Sequence, residues 1–185
     1  PYTIGSYLAE ASPGKIDEDH NEFNTSALKV ETRIKKLISI QGKRTVDNFQ
    51  RELGSILWEY CGMSRNNNGL KKARKLIKNL RAEYWENVLV GGSEKDFNQS
   101  LESAWRVADF MEFAELMVID TLERQESCGG HFNEDYQTDE HEALRDDKLF
   151  CHVSAWEFRG DNRKPKFHKE SLKFENVELT QRSYK

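Results

Sequence analysis

The sequence predicts a mainly α protein: a three-helix antiparallel bundle, spectrin-repeat-like, with a preceding short helix and a small C-terminal antiparallel β-sheet. Three observations predict it. Apolar residues recur three or four apart through most of residues 25–126. Cap and turn residues separate these runs. Beyond residue 147 the spacing changes to alternation.

Residues 1–24 hold Pro13-Gly14 and the acidic group Asp17, Glu18 and Asp19 without sustained periodicity, so they are expected to be a linker. Ala27, Val30, Ile34, Leu37 and Ile38 fall at helical spacing. Gly42 ends this first helix, where a left-handed residue can close it. Thr45 can cap a second helix, striped by Val46, Phe49, Leu53, Ile56, Leu57 and Tyr60 and stopped at Gly62. After the turn residues 66–69, Leu70, Ala73, Leu76, Ile77, Leu80, Tyr84 and Val88 predict a third helix ending before Gly91-Gly92. The fourth, capped near Asn98, confines its polar positions to the stripe of Glu102, Arg106, Asp109, Glu112, Asp120 and Glu123. A helix apolar over so much of its circumference must be covered on several sides, which makes residues 101–122 the central member of the bundle. Residues 127–185 form an extended C-terminal segment. Val153, Ala155 and Trp156 begin a strand, Asp161-Asn162 mark a turn, and residues 167–172 and 174–179 supply one or two more strands. So small a sheet is marginal alone and is expected to dock on something larger.

The chain has 185 residues, with 37% hydrophobic and 32% charged. That composition implies a thin core and a body resting against a larger neighbour. A formal charge of −4 with interspersed signs gives no footprint for nucleic acid. No apolar stretch approaches the roughly 20 residues a bilayer span requires. Cys61, Cys128 and Cys151 show neither a CxxC spacing nor an even count, which fits a reducing compartment better than a disulfide framework. Pro1-Tyr2-Thr3-Ile4 reads like the middle of a longer polypeptide.

No catalytic, cofactor-binding or metal-ligating set emerges from the pattern. His20, His131, His141, His152 and His168 lie in different segments without HxxxH or HExxH spacing. His131 stands apart because it follows Glu126-Ser127-Cys128-Gly129-Gly130, where two glycines permit a sharp reversal or a close fit to a neighbouring domain. Lys71, Lys72, Arg74, Lys75, Lys78 and Arg81 read as the solvated face of an amphipathic helix. No flanking aromatics make them a stacking surface for bases. Cys128 beside the glycines reads as a passive thiol. A GxGxxG after a strand, which a dinucleotide fold requires, is missing from the chain.

The string LGSILWEYCGMSRNNNGLKKA is similar to the helix-turn-helix that begins the C-terminal domain of flavoprotein subunits in the succinate dehydrogenase and fumarate reductase family. Trp58, Arg65-Asn66 and Gly69-Leu70 carry that match. Further on, RVADFMEFAELMVIDTLERQESCGGHFNEDY resembles the family's long helix and the Ser-Arg-Gly-Ala-His segment ending it, with Cys128 for the arginine and Gly130 for the alanine. Arg145-Asp146-Asp147, the strand holding Trp156 and Gln181-Arg182-Ser183-Tyr184 also look like the family's tail. Aspartate oxidase, which uses the same domain, is a weaker match.

The resemblance implies a parent subunit that interconverts succinate and fumarate by hydride transfer with FAD and passes electrons to an iron-sulfur subunit and a membrane cytochrome subunit. The parent would lie on the cytoplasmic side of the bacterial inner membrane as a peripheral subunit. The flavin would be held in the flavin-binding domain, and the substrate there and in the capping domain, both upstream of Pro1. This chain would then hold no cofactor and would act as a structural, interdomain and intersubunit scaffold. His131, Glu134 and Asp135 would form an interdomain structural cluster. The alternative reading is a stand-alone helical module that binds a protein partner.

Overall fold

A computed structural model of the chain describes residues 2–12, 14, 17–160 and 163–180. The expected turn at Asp161-Asn162, the tail at 181–185, Pro1 and Pro13 lie outside the described residues. The elements run α1 (Tyr2–Glu10), α2 (Asn21–Ser39), β1 (Arg44–Thr45), α3 (Val46–Cys61), α4 (Asn67–Asn87), β2 (Val88–Leu89), α5 (Gln99–Glu123), α6 (Asp147–Phe150), β3 (His152–Glu157) and β4 (Lys166–Ser171). This is the mainly helical bundle with a small antiparallel sheet that the sequence predicts.

Helices α3, α4 and α5 each begin where a side chain accepts from an unpaired backbone N–H of the first turn. Thr45 Oγ1 accepts from Asn48 N at 3.4 Å, Asn66 Oδ1 from Gly69 N at 2.8 Å, and Asn98 Oδ1 from Leu101 N at 3.0 Å. The core behind these caps consists of Phe49, Leu53, Leu70, Ile77, Tyr84, Val107, Met111 and Val118 with their neighbours. The Phe49 and Tyr84 rings meet edge to face at 5.1 Å, an arrangement that adds to simple area burial. The Tyr84 hydroxyl donates to the Ala104 carbonyl at 2.6 Å, so its one polar atom is satisfied inside the core. Burial raises the Tyr84 phenol well above the ordinary tyrosine range.

A two-residue ladder fixes how α3 and α4 stand. Arg44 and Thr45 pair in parallel with Val88 and Leu89. Since β1 leads into α3 and β2 leaves α4, the two helices must run antiparallel. Around this staple, Gly42 N donates to Val88 O at 3.0 Å and Lys43 N to the Asn87 side chain at 2.9 Å. The Arg44 guanidinium spans Glu83 and Glu52 at 2.9 and 2.6 Å and covers the Phe49 ring at 4.2 Å. Gly42 closes α2 differently from expectation. The left-handed residue is Gln41, at φ 50°, and Gly42 is glycine because the Asn87 carbonyl presses against it.

Four further expectations are corrected. Residues 2–10 form a helix within the expected linker: no proline interrupts Tyr2–Glu10, yet α1 buries none of its residues. The helix preceding the bundle starts at Asn21, earlier than its apolar pattern, and only Leu37 along it is buried. Residues 174–179 form no strand, because β4 pairs with β3 alone and Phe174, Val177 and Leu179 stay about half-exposed or more. The cations of α4 are not uniformly solvated. Arg74, Lys78 and Arg81 reach the Glu115 carboxylate of α5 at 3.9, 3.4 and 3.1 Å, while Lys71, Lys72 and Lys75 face outward. Glu115 is only 8% exposed; a carboxylate so placed needs cationic partners, and α4 supplies three.

A polar anchor ties the hairpin of β3 and β4 to α5. Trp156 Nε1 donates to Asp120 Oδ1 at 2.6 Å, and Trp156 stacks on Phe167 at 4.5 Å. Among the described residues, no helix is long and apolar enough to cross a membrane.

Candidate functional site

The segment after α5 folds back over the turn between α3 and α4, and this return carries all three residues singled out from the sequence. Arg124 ends α5 with its N–H on the Asp120 carbonyl. Cys128 and His131 then exchange two backbone hydrogen bonds, 2.8 and 3.0 Å, across a tight reversal. Gly129 sits there at φ +58°, the conformation that favours glycine. The adjacent glycines therefore make a turn within the chain.

Glu134 and Asp135 reach the α3–α4 turn together. Glu134 Oε1 accepts from Ser64 Oγ at 2.5 Å and Oε2 from Asn66 Nδ2 at 3.2 Å. These two donors hold the Glu134 carboxyl below the usual carboxylate range. Asp135 Oδ2 accepts from Asn67 N at 2.7 Å, where Asn67 is the first residue of α4. A carboxylate at that end both satisfies an orphan N–H and meets the positive pole of the helix. The backbones join as well, with Glu134 N donating to Arg65 O at 2.7 Å.

Asn133, which the sequence reading does not single out, organises this contact. It is fully buried. Its N–H and C=O both bond Ser127 Oγ, at 2.8 and 3.0 Å, its Oδ1 accepts from Asp135 N at 3.0 Å, and its Nδ2 donates to Asn67 Oδ1 at 3.1 Å. The available signal was an asparagine just before two acids in a turn-rich run, which is too common to single out. Glu126, 2% exposed, ties the two ends of the return. It accepts from Arg124 Nε at 2.8 Å and from Asp146 N at 2.9 Å.

His131 lies apart from the two acids. Its Nε2 is 2.9 Å from the Arg124 carbonyl; since a carbonyl only accepts, Nε2 carries the proton. Burial lowers its pKa most, and the Arg65 and Arg124 guanidiniums lower it further, against opposing contributions from the Arg124 carbonyl and Glu126. A folded-state pKa below the unfolded one means that the unfolded chain binds more protons. Stability is therefore highest above the ordinary imidazole range, about 6.5, and falls as acid is added through it. Urea midpoints taken from pH 8 to pH 5.5 should decline, and His131→Gln should flatten part of that decline. An identical slope in the variant would rule this out.

The arrangement is one of closure. The Glu134 and Asp135 carboxylates are committed to donors of the α3–α4 turn. Among the described residues, no group of three or more His, Cys, Asp or Glu side chains could hold a metal ion. A second feature lies between α5 and the hairpin and reaches Arg124 at the end of α5. There Phe113, Leu116 and Met117 with His152, Val153, Ser154 and Trp156 line an open cleft of about 470 Å³.

Comparison with known proteins places this geometry. Residues 50–184 match the family described as fumarate reductase flavoprotein C-term. The fumarate reductase flavoprotein subunit of Haemophilus influenzae is 23% identical over 181 residues, covering 97% of this chain and 29% of that protein. An uncharacterized FAD-dependent oxidoreductase of Methanocaldococcus jannaschii is 28% identical over 130 residues, covering 70% of this chain and 23% of that protein. Among solved structures, the quinol fumarate reductase of E. coli superposes with a TM-score of 0.78 at 22% identity, over 97% of this chain and 29% of that one. The chain thus spans less than a third of the relatives it matches.

Proposed function

Because the chain belongs to the fumarate reductase flavoprotein C-terminal family, we propose that it is the helical domain of a flavoprotein subunit of the succinate dehydrogenase and fumarate reductase type. The full subunit interconverts succinate and fumarate by hydride transfer with FAD. This domain serves as its structural scaffold, with residues 1–24 leading in from the flavin-binding domain, 25–126 forming the bundle and 127–185 the extended tail. The observation that carries the reading is the family match over 50–184, taken with relatives more than three times as long.

What supports placing FAD outside this chain is the local architecture. A dinucleotide cradle needs a parallel strand feeding a glycine-rich turn and a helix N-terminus open to phosphate. Here β1 has two residues and passes directly into α3, and Thr45, Asn66 and Asn98 fill the first turns of α3, α4 and α5 with their own side chains. These residues do not fit a flavin, and no step of the reaction is assigned to them. In this reading the His131, Glu134 and Asp135 segment stiffens the face presented to the flavin-binding and capping domains. The iron-sulfur subunit and the membrane cytochrome subunit complete the complex, and the subunit lies peripherally on the cytoplasmic side of a bacterial inner membrane.

The decisive measurement is made on the native full-length polypeptide. It is expected to show flavin absorbance and reduction of a dye by succinate, or oxidation of a reduced dye by fumarate. A full-length protein with no flavin and neither activity would sink the reading.

A further inference from the structure

Asn68-Gly69 is the sole Asn-Gly pair in the chain, and Asn68 is exposed to water in the first turn of α4. Such a pair can react with itself. The glycine backbone nitrogen, once it gives up its proton, attacks the asparagine side-chain carbonyl carbon and closes a five-membered imide. Glycine resists this least, since no Cβ shields its nitrogen. The nitrogen must first be free of its hydrogen bond, and the asparagine backbone must leave the helical conformation so that the reacting atoms face each other.

Named contacts oppose both movements. Gly69 N is one of the N–H groups that no helical carbonyl can serve, and it donates to Asn66 Oδ1 at 2.8 Å. The Asn66 amide is itself held, because its Nδ2 donates to Glu134 Oε2 at 3.2 Å. The helical backbone on either side is fixed as well: Asn67 N donates to Asp135 Oδ2 at 2.7 Å and Leu70 N to Asn66 O at 2.9 Å. A Cβ on Gly69 would lie 3.3 Å from Asn66 Oδ1 and 3.4 Å from Tyr60 Cδ1. The glycine that admits so tight a cap is therefore the one whose nitrogen is open to reaction when the cap lets go.

We propose that Asn68 is a site of spontaneous deamidation, with water as co-reactant, kept closed by Asn66 and by the Glu134-Asp135 segment that positions it. A bond forms between Gly69 N and Asn68 Cγ, the Cγ–Nδ2 bond breaks, and the side-chain nitrogen leaves as ammonia with the Gly69 proton. Water then opens the imide at either carbonyl and leaves aspartate or isoaspartate at position 68. Nothing is oxidised or reduced. The two products differ in their effect on the fold. Aspartate in the first turn meets the positive pole of α4. Isoaspartate inserts a methylene into the main chain, which takes Gly69 N out of register with Asn66 and Asn67 N out of register with Asp135. That route releases the return segment from α4 irreversibly.

Ageing of the native full-length polypeptide in mildly alkaline buffer tests this. The peptide holding Asn68 is scored by mass spectrometry for conversion and for isoaspartate, and the urea-unfolded polypeptide supplies the unguarded rate. Folded protein is expected to convert Asn68 far more slowly than unfolded. Asn66→Ala should raise the folded rate about fivefold, the factor for losing a helix cap, and Glu134→Ala should raise it by less. Neither should alter the unfolded rate. Thr45→Ala removes the cap of α3 instead, so it controls for a general loss of stability, and its rate should stay at the wild-type value. Asn66→Ala converting no faster than wild type would overturn the assignment. So would Thr45→Ala converting as fast as Asn66→Ala, or Asn68 reacting equally fast folded and unfolded. Material carrying isoaspartate should exchange amide hydrogens faster across residues 127–136, and unchanged exchange there would overturn the release.

Discussion

Gly42→Ala is expected to be among the most destabilising single substitutions in the chain, lowering stability by roughly 3 kcal/mol. A Cβ built on Gly42 would lie 1.9 Å from the Asn87 carbonyl oxygen and 2.0 Å from its carbon. Both belong to backbone, so no rotamer change can relieve the overlap. The neighbouring bonds cannot yield cheaply either, since Gly42 N is held to Val88 O and Lys43 N to the Asn87 side chain. The clash must push β1 off β2 or α2 off the end of α4. Urea denaturation followed by circular dichroism measures the loss, and Gly54→Ala is the control, since a Cβ there would meet nothing within 4 Å. Equal midpoints for the two variants would show that the close approach is not rigid.

Glu126→Ala should cost about 2–4 kcal/mol, the scale for removing one partner from a buried, hydrogen-bonded charge. Its carboxylate is the joint between the start of the return segment at Arg124 and its end at Asp146. Truncation leaves the Asp146 N–H without its acceptor and opens space where Arg124 now folds in. The Arg124 side chain is 41% exposed and water can take it up, so the loss should fall mainly on the segment itself. Hydrogen exchange should therefore accelerate across 124–147 and at the α3–α4 turn, with the interiors of α4 and α5 little changed. Uniform acceleration through all the helices would contradict this division.

Much of the bundle was legible because its determinants are local. Thr45, Asn66 and Asn98 announce helix starts within the three residues each of them caps, and the apolar spacing of α3, α4 and α5 needs no knowledge of partners. What escaped depends on contacts between distant segments. The role of Gly42 is set by Asn87, and no feature near residue 42 announces a carbonyl pressed against it. Glu115 lies outside the polar stripe read on α5, and its place is explained only when Arg74, Lys78 and Arg81 are seen to converge on it. The same limit made the cations of α4 look wholly solvated. In the candidate site, Glu134 and Asp135 came only from the family resemblance, and His131 from that and from the glycine turn before it. Their partners at Ser64, Asn66 and Asn67 lie well over sixty residues away, and buried Asn133 carries no mark of its own. Helix α1 was missed because its nine residues give too few turns for a period to show.

The parallel ladder between Arg44-Thr45 and Val88-Leu89 has a kinetic consequence. Its two halves are separated by the whole of α3 and α4, so pairing them in an unfolded chain demands the entropy of closing a long loop, while the zipping of α3 against α4 proceeds from a short one. The ladder should therefore close after the folding transition state and open early on the way out. Contacts of that kind change how quickly a native molecule comes apart far more than how quickly it assembles.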